Sequence, residues 1–244
     1  MVYNVIDHTP SATRTPRQKA RKLITDILKP DTAGYAQSAS VLAQGGLVAF
    51  PTETVYGLGG DARNDRAVAQ IYAAKGRPQF NPLIVHVNSI GTARTYVEWS
   101  DQAEILASAF WPGPLTLVLP LRAGTALSSL VTAGLSTVAI RVPAHPVARC
   151  LLARFGGPVA APSANPSGRI SPTTTDHVLS GLAGRIDAVL DGGQCDVGLE
   201  STIIGFDPIP TLLRPGGLPS EAAETALGVK LASHEASDAI SAPG

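Results

Sequence analysis

The chain has 244 residues, is 44% hydrophobic, and balances 19 Lys and Arg against 19 Asp and Glu. That length suits one large or two small domains with a sizeable core, and a neutral balance argues against a dedicated nucleic-acid binder, which is normally basic. No apolar run reaches membrane-span length, no secretory signal is visible, and Cys150 and Cys195 can form neither a disulfide framework nor a C-x-x-C zinc pair, so the expectation is a cytoplasmic globular protein with two buried free thiols.

Charge is uneven along the chain. Arg14, Arg17, Lys19, Arg21, Lys22 and Lys29 make residues 1–30 a basic extension. It reads as a solvated, partly helical tail, with an RNA-binding arm as the alternative. A helix is expected over 36–44, stopped by Gly45-Gly46, and then a short buried strand over 47–50. A helix over 65–75 precedes a strand at 83–87. A helix at 104–110 is followed by strands at 115–119 and 137–142. The next helix, 145–155, is entered through Pro146, which the first turn tolerates. Strands near Val159, Val189, Ile203 and Leu212 and helices near 174–183 and 220–227 complete the series. Several consecutive strands between 187 and 214 lack intervening helices, which implies one α/β domain with a mixed sheet. The domain is expected over 31–228, with an Ala/Ser-rich tail over 229–244. The 24 Gly and 20 Pro exceed the usual combined share of roughly 12% and argue for many turns and close backbone approaches.

Most catalytic motifs are absent. Gly57-Leu-Gly59-Gly-Asp-Ala62 satisfies G-x-G-x-x-A, but no acidic residue lies between Asp65 and Glu98 to hold a ribose. There is no P-loop, no G-x-S-x-G and no H-E-x-x-H, and the five His are not spaced for metal binding. What remains is polar residues in expensive places. Val68, Ile71, Tyr72 and Lys75 fall at i, i+3, i+4 and i+7, so Lys75 sits on an apolar stripe. It either snorkels to solvent or reaches into a cleft for an anion. Arg77 follows it. Thr137, Ala139 and Arg141 share one strand face, and a buried arginine there needs a carboxylate or phosphate partner. His86, taken alone, reads as a structural histidine. The turns holding Ser163, Asn165 and Ser171 offer donors for a phosphate, although each alone is ordinary turn chemistry. With Arg214, four cations lie on or beside apolar elements of a neutral chain, which suits a nucleotide or other phosphorylated ligand.

At these residues the sequence resembles the YrdC family of threonylcarbamoyl-AMP synthases. The resemblance runs from about residue 34 to 218. Its motifs come in family order: Pro51-Thr-Glu-Thr-Val-Tyr-Gly-Leu58, Lys75-Gly-Arg-Pro78 with Asn81-Pro-Leu83, Trp111-Pro-Gly-Pro114, Thr137-Val-Ala-Ile-Arg-Val-Pro143, Pro162-Ser-Ala-Asn165 with Ser171-Pro-Thr173, Asp191-Gly-Gly193, Glu200-Ser-Thr202 and Leu213-Arg-Pro-Gly216. It implies a YrdC-like domain with a twisted mixed sheet and flanking helices. The implied reaction joins L-threonine, bicarbonate and ATP into threonylcarbamoyl-AMP, releasing pyrophosphate, for threonylcarbamoyladenosine formation in tRNA. The implied threonine residues are Thr54, His86, Arg141, Ala161 and Ser201. Lys75, Arg77, Asn81, Thr137, Ser163, Asn165, Ser171 and Arg214 are implied for ATP, with Lys75, Arg77 and Arg141 catalytic. Mg²⁺ is expected with the triphosphate, and tRNA-modification proteins as recipients of the product. An RNA-binding or ribosome-associated module is the alternative. Residues 241–244 resemble the opening of a linker found in a longer branch of the family.

Overall fold

A computed structural model describes residues 23–79, 81–233 and 242–243. The first helix, α1 (Thr32–Ala43), starts four residues before its expected position because the Asp31 side chain accepts from the Gly34 amide at 2.9 Å. It leads into β2 (Val48–Pro51), which pairs antiparallel with β3 (Tyr56–Asp61). Helix α2 (Asp65–Lys75) has the expected bounds: Asn64 caps its first turn and Gly76, at φ 61°, closes its last. The chain continues through β4 (Ile84–His86), α3 (Ile90–Ala93), α4 (Asp101–Phe110), β5 (Leu115–Pro120), α5 (Ser129–Thr132) and β6 (Thr137–Arg141). Then follow α6 (Pro146–Phe155), capped by His145, β7 (Val159–Ala160), α7 (Thr175–Leu182) and β8 (Ala188–Leu190). The last elements are β9 (Thr202–Gly205), β10 (Thr211–Arg214), α8 (Ser220–Leu227) and β11 (Ala232–Ser233).

The strands form one sheet in the order β1-β8-β2-β3-β7-β4-β6-β5-β9-β10-β11, where β1 is Asp26–Leu28. Pairing is mixed: β4–β6 and β5–β9 are parallel, while β5–β6 and β9–β10 are antiparallel. This is the expected α/β architecture. The sheet also reaches past both expected domain limits. Strand β1, inside the supposed extension, pairs parallel with β8, anchored by the Thr25 hydroxyl on the Ile186 carbonyl at 2.8 Å. Strand β11, inside the supposed tail, pairs with β10. Of the basic cluster, only Lys29 lies within the described residues. No helix among those residues is long and apolar enough to cross a membrane.

Strand alternation sorts side chains between the two faces of the sheet. Val85, Leu117, Leu119, Val138 and Ile140 join α2, α4 and α7 in the main core. Phe50, Leu190 and Val159 pack with Leu42 of α1 and Leu151 and Leu152 of α6 in a second core. On the same face as the second core, opposite the main one, Ile84, Val118, Ala139 and Ile203 form a short apolar strip. Strand β3 is glycine-rich because a Cβ at Gly59 would stand 2.7 Å from the Phe50 ring and 2.9 Å from Val159. Cys195 is buried, but Cys150 is exposed on α6, so the expectation of two buried thiols holds for one of them.

Candidate active site

The strip face carries the candidate residues. Helix α2 ends by delivering Lys75 into the interior rather than to solvent: it is 3% exposed. Its Nζ donates to the carbonyls of Ser163 at 2.5 Å and Asn165 at 2.6 Å. Burial, then the field of Arg77, pull its pKa down to about 7, with Glu200 opposing. Arg77 donates to the Asn81 side-chain oxygen at 2.5 Å and to the Pro82 carbonyl at 3.0 Å. The Asn165 amide closes its own turn by donating to the Arg169 carbonyl at 2.6 Å. Ser171 Oγ donates to Glu200 at 2.8 Å, and the other carboxylate oxygen is ion-paired with Arg214. Lys75, Arg77, Ser163, Asn165, Ser171, Glu200 and Arg214 thus line one cavity of about 170 Å³.

A smaller cavity of about 30 Å³ adjoins it, sharing Ile84, Ser163, Glu200 and Arg214. Strands β4 and β6 place His86 directly beside Arg141, and Thr54, Ala161 and Ser201 complete the lining. Arg141 is 3% exposed. It donates to Glu53 at 2.5 Å, to Thr54 Oγ1 at 3.0 Å and to the Gly113 carbonyl at 3.1 Å. A guanidinium has five N–H groups, so the clamp leaves donors for a ligand. Glu53 also accepts from the amides of Ala144 at 2.9 Å and His145 at 3.3 Å. Burial, then the positive field of Arg141, push the His86 pKa down to about 3, so its ring is neutral at physiological pH. His86 Nδ1 is buried without a hydrogen-bond partner among the described residues. Ser201 Oγ pairs with Thr116 Oγ1 at 2.7 Å, while the Ala161 amide is spent on the Ile84 carbonyl at 2.9 Å.

Twelve of the thirteen expected residues line these two cavities or, like Asn81, hold a residue that does. Thr137 is the exception. It lies at the other end of β6, in a separate cavity of about 760 Å³ with Trp99, Val118 and Leu213. Sequence reasoning assigned no role to Glu53, Glu200 or Thr116. The signal for the two carboxylates was the arginines themselves, because a buried cation demands a counter-charge and few acidic residues sit in apolar-flanked segments. The Glu200–Ser201 backbone is also pinned from behind: a Cβ at Gly216 would come within 2.3 Å of the Glu200 carbonyl oxygen and 2.5 Å of Ser201 C. Gly216→Ala is therefore expected to lower the thermal midpoint by about 2–10 °C. Scanning calorimetry checks this, and an unchanged midpoint would show slack in that loop.

The Sua5_yciO_yrdC family model, described as "Telomere recombination", matches residues 40–216. The chain belongs to this family. Among Sua5–YciO–YrdC relatives, a threonylcarbamoyl-AMP synthase of Bacillus subtilis is 50% identical over 207 residues, covering 84% of this chain and 60% of the relative. The chain thus spans less than two thirds of that protein. The structure of Pyrococcus abyssi Sua5 complexed with L-threonine superposes with a TM-score of 0.85 at 43% identity, covering 91% of this chain and 67% of the other. Escherichia coli YciO, at 20% identity and a TM-score of 0.70 over 80% of this chain and 96% of its own, shares the fold.

Proposed function

We propose that the chain condenses L-threonine, bicarbonate and ATP into threonylcarbamoyl-AMP, with release of pyrophosphate, for threonylcarbamoyladenosine modification of tRNA. The observation that carries this reading is a pair of adjoining cavities, one lined by Lys75, Arg77, Arg169 and Arg214 and the other built around a clamped arginine. The names of the relatives at about half identity and the threonine complex of Pyrococcus abyssi Sua5 support the choice of substrates. In the small cavity, the remaining donors of Arg141 hold the amino-acid carboxylate, with Thr54, Ser201 and neutral His86 around the rest. In the large one, Lys75, Arg77 and Arg214 take the triphosphate, with Ser163, Asn165 and Ser171 as polar lining. The apolar strip supports a nucleoside lying along the sheet towards Thr137. The threonine amine and bicarbonate combine with loss of water into a carbamate, and a carbamate oxygen then attacks the α-phosphorus: the new O–P bond forms as the bond to the bridging oxygen breaks, and pyrophosphate leaves with the electron pair. Fixed cations offset the growing charge, so the chemistry proceeds by positioning and electrostatics without a covalent enzyme intermediate.

Mg²⁺ fits this lining in one way. No group of three or more His, Cys, Asp or Glu able to hold a metal occurs among the described residues, and Glu200 is the carboxylate lining the cationic cavity. One carboxylate plus phosphate oxygens is an ordinary Mg²⁺ environment, in which the ion shields triphosphate charge. The product passes to cytoplasmic tRNA-modification proteins. With ATP and bicarbonate, the protein is expected to release pyrophosphate only when threonine is added. Release no greater than the threonine-free control would overturn the reading.

A further inference from the structure

We infer that Glu200 makes the cationic cavity select a metal-complexed triphosphate over a metal-free one. This rests on the proposed ATP reading and adds a residue and a mechanism to it. Glu200 stands among cations that would otherwise welcome any polyanion. Its carboxylate pairs with Arg214, accepts from Ser171 Oγ at 2.8 Å, and sits within the field of Lys75 and Arg77. Its side chain is 34% exposed, and it lines both cavities, at the seam between the amino-acid and phosphate ends.

A pocket built only to attract phosphate would leave that carboxylate out. The carboxylate occupies Arg214 and Ser171, the groups a phosphate needs. A metal-free triphosphate must displace it and then lie against a like charge in a partly buried site, which opposes binding by about tenfold or more. A divalent cation carried on the phosphates reverses the sign of that contact. Glu200 then exchanges Arg214 for the cation, and Arg214 is released to the phosphates. The same carboxylate that repels the free nucleotide thus becomes a ligand for the complexed one, and discrimination comes from one side chain changing partners.

The test is calorimetric titration of the full chain with ATP, in excess Mg²⁺ and in chelator, for the wild type, Glu200→Gln and Glu200→Asp. The wild type is expected to prefer the Mg²⁺ complex by about tenfold or more. Glu200→Gln keeps the shape and an acceptor for Ser171, so it should bind metal-free ATP more tightly and bring the ratio close to one. Glu200→Asp keeps the charge and should retain most of the wild-type ratio. It thereby separates a lost charge from a damaged pocket. A wild-type ratio in Glu200→Gln, or a collapsed ratio in Glu200→Asp with metal-free binding no tighter, overturns the inference alone. Failure of the wild type to bind ATP in either form overturns the ATP reading as well.

Discussion

Glu53→Ala is expected to destabilise the fold by about 3–5 kcal/mol and to abolish measurable threonine binding. The cause is what it leaves behind. Arg141, 3% exposed, would keep Thr54 and the Gly113 carbonyl but lose the carboxylate that balances its charge. The amides of Ala144 and His145 would lose their acceptor as well. Urea unfolding measures the stability change, and titration with threonine measures the binding. A loss below about 1 kcal/mol would show that the ion pair is not the anchor of the small cavity. The acid limb supplies a second readout. Burial alone would raise the Glu53 pKa, but Arg141 and the backbone amides outweigh it and hold it below its ordinary 4.5. A depressed carboxylate contributes stability above its unfolded pKa and loses it as pH falls through the folded one. Glu53→Gln should therefore flatten the stability profile below about pH 4.5, where the wild type declines.

Lys75→Met is expected to lower threonine-dependent pyrophosphate release by about 10²–10³-fold, the usual loss when one preorganised charge donor is removed. The side chain is close in length, so the main change is the missing ammonium and its bonds to the Ser163 and Asn165 carbonyls. A pH signature accompanies the charge. With its pKa near 7 in the free protein, Lys75 is mostly neutral at pH 8, and an incoming triphosphate favours the ammonium. ATP binding should therefore take up close to one proton at pH 8 and far less at pH 6, read by calorimetry in buffers of different ionisation enthalpy. Lys75→Met should abolish the difference. Equal proton uptake at both pH values in the wild type would remove Lys75 from the phosphate site. The same shift has the opposite consequence for folding. A lysine depressed from 10.5 to about 7 opposes the folded state at low pH, and that penalty fades as pH rises through the interval.

The contrast between α2 and β3 shows what was legible in the sequence. Helix α2 came through with both ends in place because periodicity, the Asn64 cap and the Gly76 stop agree. Lys75 on its apolar stripe was a local contradiction, and it marked the site. Strand β3 stayed hidden because Gly57, Gly59 and Gly60 are poor strand formers. Gly59 is required there by the packing of Phe50 and Val159, and a Cβ at Gly60 would press on Ile71 and Leu47, so the reason lies in residues from elsewhere in the chain. Strand β1 was hidden likewise, since three residues carry too little alternation and its partner is β8. Glu53 escaped because a carboxylate in a hydroxyl-rich stretch looks solvated until Arg141 arrives from 88 positions away. Arg141 itself was readable, because the alternation that fills the core with Val138 and Ile140 turns it to the other face.

The order of the strands has a consequence for how the protein acquires its site. Neighbours such as β7 between β3 and β4, and β8 between β1 and β2, join segments made far apart in the chain. The two cavities draw on residues from Thr52 to Pro243. No early fragment contains the lining of both cavities, and most pocket contacts close loops of many residues, which places them late on a slow folding route. Binding competence should thus appear together with global protection from hydrogen exchange, not before it. A ligand that occupies the site then stabilises the whole sheet against unfolding, rather than one loop.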